Sequence, residues 1–224
     1  MANKTSLNRS LVLVLLAMML AGSFLLVYVP SVQDARASSG LSIDGTATAS
    51  SCTSPCTTDI TTSDTNDVIV VMLGFNSGVT VSSVVDSGSA GLTFSTRFAC
   101  AGADRSMCEY YAIAASPLTN EPIQITGSGN INGFIFGVNG ADTASPFDAN
   151  SGLPNEATQN SASSAACTVS TSNANDMIIT EVADGGVSAI TNPTGFSTIV
   201  PKSGGAPSFA GAYRQFHRYS QRRQ

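Results

Sequence analysis

The residues of this chain that could do chemistry are few, and their spacing names no reaction. The single histidine, His217, stands in the C-terminal stretch. A Ser-His-Asp triad would need that imidazole beside a serine and an aspartate, yet His217 lies in a short basic run outside the patterned part of the chain. Glu109, Glu121, Glu156 and Glu181 are the carboxylates from which a glycosidase pair would be drawn. Exposed strand faces account for them equally well. Asp64 with Asp67, and Asp142 with Asp148 and Asn150, put loop oxygens at positions able to hold Ca²⁺, a hard cation that takes oxygen ligands. Neither group has EF-hand spacing, and ordinary turn chemistry explains both. No other cofactor is indicated.

The five cysteines are Cys52, Cys56, Cys100, Cys108 and Cys167. Several cysteines behind an export-like leader read as disulfides rather than metal ligands. With the only histidine in the tail, a Cys/His zinc site has little to draw on. Cys100 and Cys108 flank the loop between two adjacent expected strands and make the best pair. Cys56–Cys167 or Cys52–Cys167 would tie two halves of the chain together, leaving one cysteine over; Cys56–Cys167 is the expected pair, with Cys52 unpaired. Tryptophan is absent, which weakens a carbohydrate-stacking platform, although Tyr110 and Tyr111 remain. The Asn-x-Ser/Thr sequons stand at Asn3 and Asn8, within the leader.

Charge excludes one class of partner. Residues 38–213 hold fourteen of the fifteen acids but three of the ten bases (Arg97, Arg105 and Lys202), a net of eleven negative charges. Phosphate binding needs clustered Lys and Arg, so nucleic acid is not an expected partner. The hydrophobic fraction of 42% is too high for a disordered chain.

The element that must position these residues is the run Asp67-Val68-Ile69-Val70-Val71-Met72-Leu73, preceded by a turn at Asn66-Asp67. It is β-branched and too short for a helix, so it reads as a buried strand. The phrase returns: Ser172-Asn173-Ala174-Asn175-Asp176-Met177-Ile178-Ile179 echoes Ser63-Asp64-Thr65-Asn66-Asp67-Val68-Ile69-Val70. The echo predicts two related halves, each around a central strand.

Other strands follow from period-two alternation and turn signals. They are expected at 41–49, 79–85 (as hairpin partner of 67–75), 92–98, 107–115, around Ile123 and Ile125, 131–138, 166–170, 176–183, 195–200 and 208–213. Residues 140–164 read as a long irregular connection crossing between sheets. The expected fold is an all-β antiparallel sandwich with two pseudo-repeated halves.

Ahead of it, Lys4 and Arg9 precede an apolar stretch from Leu11 to Val29 and then Ala35-Arg36-Ala37, a small-x-small cleavage pattern. Residues 1–37 are thus an export signal. The 19-residue stretch is also close to bilayer-spanning length, so an uncleaved anchor competes with cleavage. Either way the body lies outside the cytoplasm, and contact with membrane is expected only through this segment. Residues 214–224, with Arg214, Arg218, Arg222 and Arg223, break the pattern as a basic tail. An expected reading is that a closing strand is missing there, leaving an edge open to self-association.

Three segments carry a resemblance. They are Asn66-Asp67-Val68-Ile69-Val70-Val71, Tyr111-Ala112-Ile113-Ala114-Ala115-Ser116-Pro117-Leu118 and Phe136-Gly137-Val138-Asn139-Gly140-Ala141-Asp142-Thr143-Ala144-Ser145-Pro146-Phe147-Asp148. Over roughly residues 41–213 the chain resembles the uncharacterised secreted or surface β-sandwich domains of archaea, bacteria and their viruses. The resemblance implies a display or adhesion role and brings no catalytic residues. The expectation is a non-enzymatic extracellular module, with a Ca²⁺- or glycan-binding module and a secreted hydrolase as rivals.

Overall fold

The run at 68–73 is apolar at every position because both faces of its strand are covered. In the computed structural model, which describes residues 40–101, 105–157, 166–185, 190–203 and 208–216, this strand lies third of five in an antiparallel sheet. The strands in chain order are β1 (Ser42–Thr53), β2 (Cys56–Ile60), β3 (Asp67–Asn76), β4 (Val81–Asp86), β5 (Ser95–Ala101), β6 (Arg105–Ala114), β7 (Glu121–Gly127), β8 (Asn130–Asn139), β9 (Met177–Asp184), β10 (Ser197–Ser203) and β11 (Ser208–Gln215). They form a five-stranded sheet of order β1-β8-β3-β6-β5 and two three-stranded sheets, β2-β7-β4 and β10-β11-β9. Every pairing is antiparallel, and no helix occurs among the described residues.

The alternation of a strand sends successive side chains to opposite faces, and β3 uses both. Ile69, Val71, Leu73 and Phe75 enter one core with Cys56, Ile60, Ile123 and Ile125 of the β2-β7-β4 sheet. Val68, Val70 and Met72 enter a second core with Ile199, Val200 and Phe209 of the β10-β11-β9 sheet. Strand β8 divides likewise: Ile131 and Ile135 go to the first core, Phe134, Phe136 and Val138 to the second. The described residues are therefore all-β and antiparallel, with sheets stacked as in a sandwich and an outer sheet on each face of the middle one.

The second core interlocks through glycines. A Cβ on Gly74 of β3 would stand 2.4 Å from the Phe209 ring of β11, and one on Gly211 of β11 would stand 2.3 Å from the Phe134 ring of β8. Each aromatic ring thus lies over a bare backbone in the facing layer. The Phe134 and Phe209 ring centroids are 5.2 Å apart.

Three expected local features are corrected. Strand β4 is not the hairpin partner of β3: both edges of β3 are taken by β6 and β8, and β4 pairs with β7 in another sheet. Residues 166–170 are not a strand. Side chains take the carbonyls there: Asn155 Nδ2 donates to Thr168 O (2.8 Å) and Asn150 Nδ2 to Ser170 O (2.9 Å). Strand β11 runs past 213, with Arg214 opposite Ile178 and Gln215 opposite Met177, and the Gln215 amide donates to Leu41 O. The leader at 1–37 and the remaining tail with His217 lie outside the described residues.

Candidate functional site

Three polar clusters stand out in this apolar body. The first lies between the middle sheet and the β10-β11-β9 sheet. The Arg97 guanidinium of β5 donates through Nη1 to both oxygens of Glu109 on β6, each at 2.7 Å. The Arg97 guanidinium also sits 4.0 Å from the centre of the Phe147 ring, and Phe147 meets Tyr111 edge-on at 4.7 Å. Burial pushes the Glu109 carboxyl up, and Arg97 pulls it back only in part. Glu181 of β9 is the second carboxylate here. Burial, and then the charge of Glu109, hold its pKa well above the usual carboxylate range, and its Oε2 is enclosed without a hydrogen-bond partner.

Tertiary structure thus brings together two of the four glutamates considered for glycoside chemistry. Their arrangement does not suit that role. A retaining or inverting pair needs carboxyls that reach water and substrate; Glu109 is 4% exposed with both oxygens on Arg97, and the Oε2 of Glu181 is enclosed. The cluster neutralises charge between layers. Glu156 is exposed elsewhere. Glu121 borders a cavity of about 430 Å³ lined also by Leu92, Ala114, Pro117 and Leu118. Its Oε1 accepts from the Ser89 and Ala90 N–H groups (2.6 and 2.8 Å), so this carboxylate fastens the 86–92 loop.

The second and third clusters are the two echo turns. Asp44 of β1 accepts from Ser63 N (2.8 Å), Ser63 Oγ (2.9 Å) and Asp64 N (2.8 Å). Burial opposes its ionisation, but the Asp64 and Ser63 donors outweigh that and hold its pKa below the ordinary value. Asp67, at the end of the same turn, is fully buried. Its Oδ1 accepts from Asn139 Nδ2 (3.2 Å), and its Oδ2 has no donor. Burial raises its pKa, the Asn139 bond opposes this, and the Asp44 charge adds to the rise.

In the second turn Asp148 takes the place of Asp44. It accepts from Ser172 N (2.7 Å), Ser172 Oγ (2.8 Å) and Asn173 N (3.2 Å), with Asn150 N on its other oxygen (2.7 Å). Against a burial penalty, these donors bring it to about 2. Asp176 takes the place of Asp67, with its Oδ2 enclosed and without a donor. Its pKa is raised by burial, opposed by the Thr171 hydroxyl, and raised further by the hydrogen bond and charge of Asp148.

The Ca²⁺ candidates are accordingly regrouped. Asp67 faces Asp44, and Asp64 contributes a backbone N–H; Asp148 faces Asp176, while Asp142 accepts from Ala144 N in its own turn (3.0 Å). Among the described residues no three His, Cys, Asp or Glu side chains converge as metal ligands do. Asp44, Asp176 and Arg97 are not among the site residues expected from the sequence, although Asp176 stands in the echo. The signals for the first two were present: an aromatic-or-aliphatic, Asp, small triplet upstream of each echo, and an acid closing each echo.

Of the cysteines, Cys100 and Cys108 are bonded across the β5-β6 hairpin with Cα atoms 4.4 Å apart. The Cys56–Cys167 pairing is corrected: Cys56 is bonded to Cys52, Cα–Cα 5.6 Å, because the chain reverses between β1 and β2 and places them side by side. Cys167 is free and exposed. No protein-family profile, curated protein or solved structure matches this chain.

Proposed function

We propose that this chain is an exported, non-catalytic β-sandwich building block of a cell surface or extracellular assembly. The observation that carries the reading is a charge-poor body of interlocked antiparallel sheets fastened by two disulfides. Disulfides are kept in oxidising compartments, which agrees with the export pattern of residues 1–37. The recurrence of the turn chemistry at Asp67 and Asp176 supports a body of two related halves, although the expected central strand holds only for β3, since β9 stands at the edge of its sheet. The acidic surface supports partners other than nucleic acid, with membrane contact through the N-terminal segment alone.

Strand β9 supports assembly by strand pairing. It pairs with β11 in unbroken register over eight residues and, among the described residues, closes one side of its sheet. The other outer strands are shorter or bulged: β2 has five residues, and β1, β4, β5 and β10 carry register shifts. Short or bulged edges resist pairing, whereas a regular edge invites it.

Expression from the natural leader, followed by fractionation and mass spectrometry of the mature N-terminus, tests the reading. The protein is expected outside the cytoplasm with four cysteines oxidised. It would begin near Ser38 if the leader is cleaved, or keep residues 1–37 in the membrane fraction if anchored. Full-length protein free in the cytoplasm with reduced cysteines overturns it.

A further inference from the structure

We infer that Asp44–Asp67 and Asp148–Asp176 are duplicated proton-binding sites, each a carboxyl–carboxylate pair that holds one shared proton and latches a turn to a distant segment. This concerns the two turns alone and does not depend on where the protein is exported or what it assembles with.

The argument is a count of donors and acceptors. Asp44 and Asp148 accept N–H and O–H bonds on both oxygens, an environment built for a carboxylate. Asp67 and Asp176 are opposite in kind. Each has an enclosed Oδ2 with no donor, and each has its partner's carboxyl group as a neighbour whose charge opposes its ionisation. Two carboxylates in contact cannot both be ionised at low cost, and a buried acceptor without a donor is penalised. A proton on the bare Oδ2 removes both penalties, because that atom becomes the donor and the satisfied carboxylate its acceptor.

Among the described residues no neighbouring cation substitutes for the proton. Asp67 faces Asp44 from β1, Asn139 from β8 and Thr62 in its own turn. Asp176 faces Asp148 from the β8–β9 connection, and the Thr171 hydroxyl and Asn173 N–H in its own turn. The arginine of β11, Arg214, is turned to Phe216 (4.9 Å) and Gly195. A divalent ion would want six or more oxygens, and the first carboxylate of each pair is already saturated with donors.

The sites fix long-range geometry. One binds β1 to the turn before β3 across 19 residues, the other binds the β8–β9 connection to the turn before β9 across 24. The sign of the pH effect follows. Asp67 and Asp176 have raised pKa values, so their contribution is full in acid and is lost as pH rises through those values. Asp44 and Asp148 are depressed and lose theirs only in stronger acid, for Asp148 near pH 2. Each latch is therefore closed between the depressed pKa of its first aspartate and the raised pKa of its second.

The test combines direct observation with substitution in the full chain. Carbon-13 NMR of the aspartate carboxyls should show Asp67 and Asp176 titrating above the ordinary aspartate value and Asp44 and Asp148 below it. Thermal melts should give a Tm that rises as pH falls from neutral into the mildly acidic range. Asp67→Asn and Asp176→Asn place a permanent N–H donor at each bare oxygen. Each variant should flatten that pH dependence and melt no lower than wild type at neutral pH, with the double variant flattest. Millimolar CaCl₂ should leave the wild-type Tm unchanged. Both carboxyls of a pair titrating at ordinary values overturns the inference. So does a Ca²⁺-dependent rise in Tm that Asp67→Asn or Asp176→Asn abolishes, which would make the pairs cation sites.

Discussion

Arg97 shows how much one side chain carries in a body so poor in cations. Its guanidinium is the donor on Glu109 and also covers Phe147. Removing one partner of a buried ion pair is far costlier than removing both, because it strands a charge. Arg97→Met is expected to destabilise by about 3–5 kcal/mol in urea unfolding, and Arg97→Met with Glu109→Gln by clearly less. Glu109 has a raised pKa, so a protonated Glu109 suits its burial, and stability from that group is lost as pH rises through its folded value. The Arg97→Met defect should then be largest at neutral pH and shrink in acid. At the same scale, Cys100→Ser with Cys108→Ser opens a short hairpin loop and should cost roughly 2–3 kcal/mol on the chain-entropy account. Cys167, free and exposed, should react with a thiol reagent in the native protein.

At the scale of elements, the contacts that decide the second core are ring over glycine. Gly211→Ala puts a methyl where the Phe134 ring lies, at 2.3 Å, and neither a central strand nor a fully buried ring can move aside freely. A loss of about 1–3 kcal/mol is expected, the usual cost of overpacking. Phe134→Leu, itself destabilising, should partly relieve the glycine variant. A double-mutant cycle that gives strict additivity would show that the two layers do not interlock there.

Across the whole molecule the layers differ in protection. Strand β3 is hydrogen-bonded on both edges and covered on both faces, so its amides should exchange last, at the free energy of global unfolding. Strand β9 has a hydrogen-bonded strand on one edge among the described residues and is half-buried along its length; its amides should exchange sooner. If strand pairing through β9 drives assembly, sedimentation should show concentration-dependent association. Thr180→Lys, a charge on that edge of the kind that blocks pairing, should shift the protein toward monomer. Association unchanged by that substitution would move the interface elsewhere.

Much of this was legible in the residues. β-Branched and aromatic runs, bounded by turn residues, located β1, β3, β6, β7, β8, β9, β10 and β11 to within a few positions, because backbone pairing and side-chain alternation are local properties. The turn at Asn66 was legible too, and Asn66 stands at φ 61°, a conformation asparagine tolerates. Sequence could not say which strand is whose neighbour. The Val79–Val85 stretch reads as a hairpin partner of β3, but two better-matched apolar strands, β6 and β8, occupy both of its edges. Nor could it say that β3 has a core on each side, since a continuous apolar run gives no count of the layers around it. The acid pairs show the same division. That Asp67 and Asp176 close equivalent turns can be read from the residues alone, because local spacing is written in the chain. Only the tertiary structure brought Asp44 and Asp148 to them, because a contact between segments 19 and 24 residues apart depends on how the sheets stack, and stacking is settled by the burial of whole faces at once.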